Sequence, residues 1–201
     1  MLIFDRKQIE EKLNTLNPLP EIEQGFVQFS LGNCVLPPVG ELLLSAGEVH
    51  IKYGYLKDGD YYIIKVASGF YENPKIGLPS SDGLMQLFSI NTGQLKAILL
   101  DKGLLTDIRT AVAGAICAKY LAPEQIKEVG IIGTGIQAKL QAEYLKRTLK
   151  INNIIVYGRS QDNANNYKNE MKNKGFNVTV VDSIKAICER CRLIVTTTPS
   201  K

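Results

Sequence analysis

The chain has 201 residues, of which 45% are hydrophobic and 22% charged, enough apolar material for one large or two small globular domains. A net charge of +4 is scattered along the sequence and tryptophan is absent, so no basic and aromatic stripe for nucleic-acid binding stands out. No apolar run approaches the roughly 20 residues that span a bilayer, and residues 1–10 lack a signal-peptide core, so a cytoplasmic protein with reduced cysteines and no membrane partner is expected.

Residues 6–16 read as a helix. Between residues 47 and 100, strand-like runs at 49–55, 61–67, 84–90 and 96–100 are separated by Lys57-Asp58-Gly59-Asp60, Asn73-Pro74 and Asn91-Thr92-Gly93. Such short connections imply antiparallel pairing. A helix follows, with Thr106 as the expected N-cap, Asp107 in its first turn and Pro123 as its stop. Beyond Pro123, strands at 129–132, 153–157, 177–180 and 193–197 alternate with helices at 136–149, 162–174 and 183–189. That alternation requires crossover helices and predicts a parallel, doubly wound sheet. The expected fold is therefore α/β, an antiparallel α+β domain (residues 1–122) followed by a Rossmann-type parallel sheet (residues 123–201), with the boundary at residues 122–127.

Gly133-Thr134-Gly135-Ile136-Gln137-Ala138 lies between a predicted strand and a predicted helix. In this context the first glycine permits a tight turn, the second lets a pyrophosphate approach the backbone, and the small final residue lets helix pack on strand. The phosphates would then meet N–H groups at the helix start. The second strand of this half ends in Tyr157-Gly158-Arg159-Ser160, with no acid until Asp162. An NAD site usually carries an acid there for the ribose hydroxyl, so Arg159 and Ser160 favour NADP(H) over NAD(H); the alternative is an exposed loop arginine.

In the first half, Lys65 interrupts Tyr-Tyr-Ile-Ile-Lys-Val-Ala, where a buried lysine is costly unless paired or used; the alternative is a head group that snorkels to solvent. Arg109 falls in the first turn of the helix expected from Thr106, where a cation opposes the dipole unless an anion lies close. His50, the only histidine, reads as structural, and Tyr61, Tyr62, Phe70 and Tyr71 as core. Cys188 and Cys191 form one CxxC, half of a tetrahedral metal site, and read as a helix end without metal.

Taken together, Lys65, Gly77-Leu-Pro-Ser80, Thr92-Gly93, Leu105-Thr-Asp-Ile-Arg109-Thr110-Ala, Gly133-Thr-Gly-Ile-Gln-Ala138 and Thr196-Thr-Thr198 give the chain a pattern that resembles the ornithine cyclodeaminase and mu-crystallin family. The resemblance implies a substrate-binding and dimerisation domain, a Rossmann domain, a homodimer and a small amino- or imino-acid substrate. It implies that Lys65 polarises the substrate carbonyl or imine or acts as acid, and that Arg109 holds the substrate carboxylate beside the nicotinamide. By the same positions, Ser81, Arg109, Thr110, Gly133, Thr134, Gly135, Ile136, Gln137, Gly158, Arg159, Ser160 and Thr198 would line the cofactor. Gly40 stands where many members carry a further carboxylate-binding arginine, which weakens ornithine as the substrate, and family chains normally continue beyond this length, so the Rossmann sheet is expected to be incomplete. The resulting expectation is an NAD(P)-dependent oxidoreductase of the imine reductase or amino-acid dehydrogenase type. The alternatives are an ammonia-releasing ornithine cyclodeaminase with bound NAD and a non-catalytic, truncated nucleotide-binding protein.

Overall fold

The structure, a computed structural model, describes residues 1–198. It divides into two compact units, Met1–Thr106 and Asp107–Lys201.

The first unit contains β1 (Leu2–Asp5), α1 (Arg6–Leu13), α2 (Pro18–Ser30), β2 (Cys34–Val35), β3 (Gly40–Leu43), β4 (Glu48–Leu56), β5 (Tyr61–Gly69), β6 (Ser81–Ser89) and β7 (Leu95–Leu100). They build a seven-stranded sheet in the order β1-β7-β6-β5-β4-β2, with β3 also on β4. All pairs are antiparallel except β1 with β7. Helix α1 begins in a reciprocal capping box: Gln8 N–H donates to the Asp5 carboxylate at 2.9 Å, and the Gln8 side chain accepts from Asp5 N–H at 3.0 Å. The expected single helix over residues 6–16 ends at Leu13, and a second helix starts at Pro18, where Asn17 caps Leu19 N–H and a proline in the first turn needs no donor.

Few apolar side chains of this unit are buried. Ile9 and Ala97 are, whereas Phe29, Leu42, Leu43 and Leu44 are all at least half exposed. The expected aromatic core is only partly formed: Tyr62 and Phe70 are half-buried, but Tyr61 and Tyr71 are exposed. Tyr71 instead donates its hydroxyl to Glu48 at 2.9 Å. Tyr62 stacks on Phe88 across β5 and β6, with ring centroids 4.9 Å apart and planes within 4°.

Helix α3 (Leu104–Leu121) crosses the division between the units. It starts two residues before the expected N-cap, because Thr106 lies inside the helix and its start is held from upstream. The Asp101 carbonyl accepts from Leu104 N–H at 3.1 Å, and the Asp101 carboxylate accepts from Leu105 N–H at 2.7 Å. Lys102 and Gly103, at φ 51° and 82°, supply the left-handed turn between β7 and α3. Arg109 therefore sits in the second turn of α3, where the dipole effect that seemed to demand an anion has largely decayed.

The second unit continues with β8 (Val129–Ile132), α4 (Ile136–Leu149), β9 (Asn153–Tyr157), α5 (Gln161–Asn173), β10 (Asn177–Val180), α6 (Ile184–Arg190) and β11 (Ile194–Thr196). Its four strands are all parallel, in the order β10-β9-β8-β11. This mixed α/β architecture with a parallel sheet is the expected fold class. The core is dense: Val112, Ile131, Leu145, Ile155, Val156, Tyr167, Met171 and Ile187 are almost completely excluded from solvent. Gly114 of α3 admits the Gln141 side chain of α4 so closely that a Cβ there would lie 2.1 Å from its Oε1.

Cys188 is exposed and Cys191 buried, and burial pushes the Cys191 thiol up to about 11. No group of His, Cys, Asp and Glu among the described residues has the makings of a metal site, and no helix among them is long and apolar enough to cross a membrane.

Candidate functional site

In the second unit the β8–α4 turn is tied to the ends of two neighbouring strands. Gly133 N–H donates to the Tyr157 carbonyl at the end of β9 (2.8 Å), and Thr197, just past β11, donates to the Ile132 carbonyl through its N–H (2.8 Å) and its hydroxyl (3.2 Å). Gly133 adopts φ 119°, and a Cβ there would lie 2.4 Å from Thr197 Oγ1, so both conformation and space require glycine. Thr197 lies within the Thr196-Thr-Thr198 landmark, of which only Thr198 was expected to line the cofactor.

Gly135 is different in kind. It is the N-cap of α4 at φ −81°, a conformation open to any residue, and nothing lies within 4 Å of where its Cβ would be. The chain itself does not require glycine there. Helix α4 begins with no side-chain cap and no acid in its first turn. An unshielded helix start, with open space above the capping residue, suits an anion that approaches the backbone closely.

Gly158 closes against the turn, since a Cβ there would lie 2.8 Å from Thr134 Cγ2; the exposed Arg159 and Ser160 follow, with the Ser160 hydroxyl accepting from Asn163 N–H at 3.3 Å to cap α5. Thr198 is exposed, and Ile136 is 58% exposed on the first turn of α4. Gln137 turns its side chain toward α3, donating Nε2 to both the backbone carbonyl and the carboxylate of Asp107 at 3.1 Å, so its amide nitrogen is committed to joining the two helices. On α3, Arg109 is exposed, and the Thr110 carbonyl accepts from Gln141 Nε2 at 3.4 Å. A cavity of about 370 Å³ lies between the end of α3 and β11, but no residue of the glycine turn lines it.

In the first unit, strand register gathers a polar face. Lys65 on β5 pairs with Lys52 on β4 and Met85 on β6, and Met85 pairs with Leu99 on β7. Directly opposed residues share a face, and residues two apart return to it. The same face at this end of the sheet therefore carries Glu41, His50 and Glu48 as well as Lys52, Lys65 and Ser81. His50 lies 3.6 Å from Glu41 and 3.7 Å from Glu48, a structural setting as expected. Lys65 is half-buried.

Asp101, beyond the end of β7, is 1% exposed. Burial raises its carboxyl above the ordinary 3.8, opposed by backbone N–H donors at Leu105, Asp101 and Gly103 and by the charge of Lys65. Its Oδ1 is buried without a hydrogen-bond partner. The fold and these two sites define a class, a two-unit α/β protein with a parallel sheet, an open helix start on a glycine turn and a lysine-bearing polar sheet face.

Residues 1–201 match the family model described as Ornithine cyclodeaminase/mu-crystallin family. The chain belongs to that family. It is 37% identical over 182 residues to an uncharacterized cyclodeaminase of Sinorhizobium fredii, covering 89% of this chain and 55% of that protein. It is similar in structure to the Thermococcus litoralis Δ1-pyrroline-2-carboxylate reductase solved with NADH and L-proline (TM-score 0.90, 28% identity, 98% of this chain and 61% of that one). It is likewise similar to an archaeal alanine dehydrogenase dimer with bound NAD (TM-score 0.88, 30% identity, 100% of this chain and 61% of that one). The chain thus spans less than two thirds of the length of these relatives.

Proposed function

We propose that the chain carries the nucleotide-binding and substrate-orienting parts of a nicotinamide-dependent oxidoreductase acting on a small imino or amino acid. The observation that carries this reading is Gly135, a glycine that neither its backbone nor its neighbours require, at the uncapped start of α4. The relatives named as dehydrogenase and reductase, solved with NAD and NADH, agree with that chemistry. A bound nicotinamide dinucleotide would supply hydride exchange with the substrate. The chain's own residues would do the rest. Thr134, Gly135, Ile136 and Gln137 would present backbone N–H groups to the phosphates, Gly133 and Gly158 would keep that approach clear, and Ser81, Thr110 and Thr198 would line the nicotinamide side.

In this reading Lys65 polarises the carbonyl or imine, or gives it a proton, and Arg109 holds the substrate carboxylate. Arg159 and Ser160, with no acid before Asp162, favour NADP(H) over NAD(H). Residues 1–122 serve substrate binding and dimerisation and residues 123–201 bind the nucleotide, in a cytoplasmic homodimer. The exposed apolar side chains of the first unit supply the kind of surface a second copy covers. The name of the 37% identical relative favours a second reading, a cyclodeaminase that releases ammonia without net redox change.

Parallel titrations with NADPH and NADH test the cofactor: NADPH binds more tightly, and Gly135→Ala weakens both while leaving the melting temperature unchanged. A clear NADH preference overturns the role of Arg159, and unaltered binding by Gly135→Ala overturns the phosphate site. Net NADPH consumption with an imino acid, against ammonia release from ornithine without it, separates oxidoreductase from cyclodeaminase. Lys65→Ala abolishes either activity and leaves cofactor affinity nearly intact.

A further inference from the structure

We propose that Asp101 is a positioning residue for Lys65: its carboxylate holds the lysine head in its charged form on the polar sheet face. This inference rests on the role given to Lys65 above. Three independent observations support it.

The first is the register. Lys65, Met85 and Leu99 form one row across β5, β6 and β7, so Asp101, two residues past Leu99, follows on the same side of the sheet. The next row contains Ala67 and Gly83, a methyl group and no side chain at all. No bulky group on that row separates the lysine from the carboxylate. The space at Gly83 is enforced, since a Cβ there would lie 2.6 Å from the Val66 carbonyl oxygen.

The second is the electrostatic setting of Lys65. Its direct neighbour on β4 is another lysine, Lys52, and like charges opposed across two strands repel. The charge of Lys65 acts on Asp101, lowering a carboxyl that burial raises. A carboxylate near Lys65 offsets the repulsion and favours the ammonium form, the form that can polarise a carbonyl or give up a proton.

The third is that Asp101 is more than its capping duty requires. Its Oδ2 accepts from Leu105 N–H, which a neutral Asn could do as well. Yet the side chain is an acid only 1% exposed, whose carboxyl burial raises even with the backbone N–H groups of Leu105, Asp101 and Gly103 acting on it, a cost that capping alone does not explain.

The 201-residue chain, labelled with 13Cε-lysine, tests this directly when Lys65 is assigned by its loss in Lys65→Arg and titrated by NMR. Asp101→Asn keeps an acceptor for Leu105 N–H and removes the charge, and Asp101→Ala removes both. In Asp101→Asn the Lys65 midpoint moves to lower pH by about one unit, a tenfold rise in proton dissociation, while the other lysines stay within error and the chain is at least as stable as the parent. Asp101→Ala shows the same movement of Lys65 together with a lower melting temperature. If Lys65 titrates in Asp101→Asn as it does in the parent, Asp101 is a helix cap alone and the inference is overturned. The readout does not depend on turnover, so the two readings fail separately: a Lys65→Ala chain that retains activity removes the catalytic role and leaves the Lys65–Asp101 coupling standing.

Discussion

The two units bury themselves to very different degrees. In Asp107–Lys201 the parallel sheet has helices packed on it, and Tyr167, Met171 and Ile187 are closed off from solvent. In Met1–Thr106 a larger sheet is accompanied by fewer helices, and long apolar side chains on α2, β3 and β4 remain exposed. Parallel sheets form where both faces are covered, whereas antiparallel sheets can leave a face open. The second unit is thus the closed frame that carries the glycine turn, and the first leaves much of its apolar surface open.

Four substitutions test that contrast. The largest effect is expected at Ile187, fully buried against Ile155 and Cys191: Ile187→Ala should destabilise the chain by about 3 kcal/mol, measured by urea denaturation. A loss under about 1 kcal/mol would mean that the second unit is not the tight core described. Gly133→Ala comes next, at about 2 kcal/mol, because it forces an alanine into φ 119° and against Thr197. An unfolding midpoint equal to that of the parent would show that the turn relaxes freely.

The third is pH-dependent. The folded carboxyl of Asp101 lies above the ordinary 3.8, so the folded state holds its proton more readily than the unfolded one. Its contribution favours folding below about 3.8 and is lost as pH rises through the folded value. Asp101→Asn has no such loss, so its melting temperature should gain on the parent from pH 4 to pH 7; a constant difference across that range would contradict the burial cost. The smallest effect on the isolated fold is expected at Leu43, 74% exposed on β3: Leu43→Ser should change stability by less than about 0.5 kcal/mol. Where the proposed homodimer forms, light scattering should nonetheless show it shifted toward monomer, and an unchanged mass would take β3 out of the proposed dimer surface.

The same contrast explains what the sequence could reveal. Strands β8 and β9 were readable to the residue because they are largely apolar runs bounded by turn residues, β10 because it alternates polar and apolar residues, and Gly133 and Gly135 because their spacing is local. In the first unit, β1, β2 and β3 are short and lie at or near sheet edges, and α2 begins at Pro18, which reads as a breaker unless its place in the first turn is known. The start of α3 was misplaced because its support comes from Asp101, across a left-handed turn at Lys102 and Gly103. The contact of Gln137 with Asp107 spans 30 residues, and the polar face around Lys65 exists only once the register of β4 to β7 is fixed. Lys65 could be singled out as a charge within an apolar run; the acid that completes its surroundings could not.

The stacked pair of Tyr62 and Phe88 gives the first unit an optical signature of its own. With no tryptophan in the chain, near-ultraviolet circular dichroism comes from tyrosine and phenylalanine, and two rings held 4.9 Å apart in nearly parallel planes form a rigid, asymmetric chromophore. The pair bridges β5 and β6, the strands that carry Lys65 and Ser81. Its signal would report whether that part of the sheet stays ordered when a ligand binds or a partner dissociates, without any label attached to the molecule.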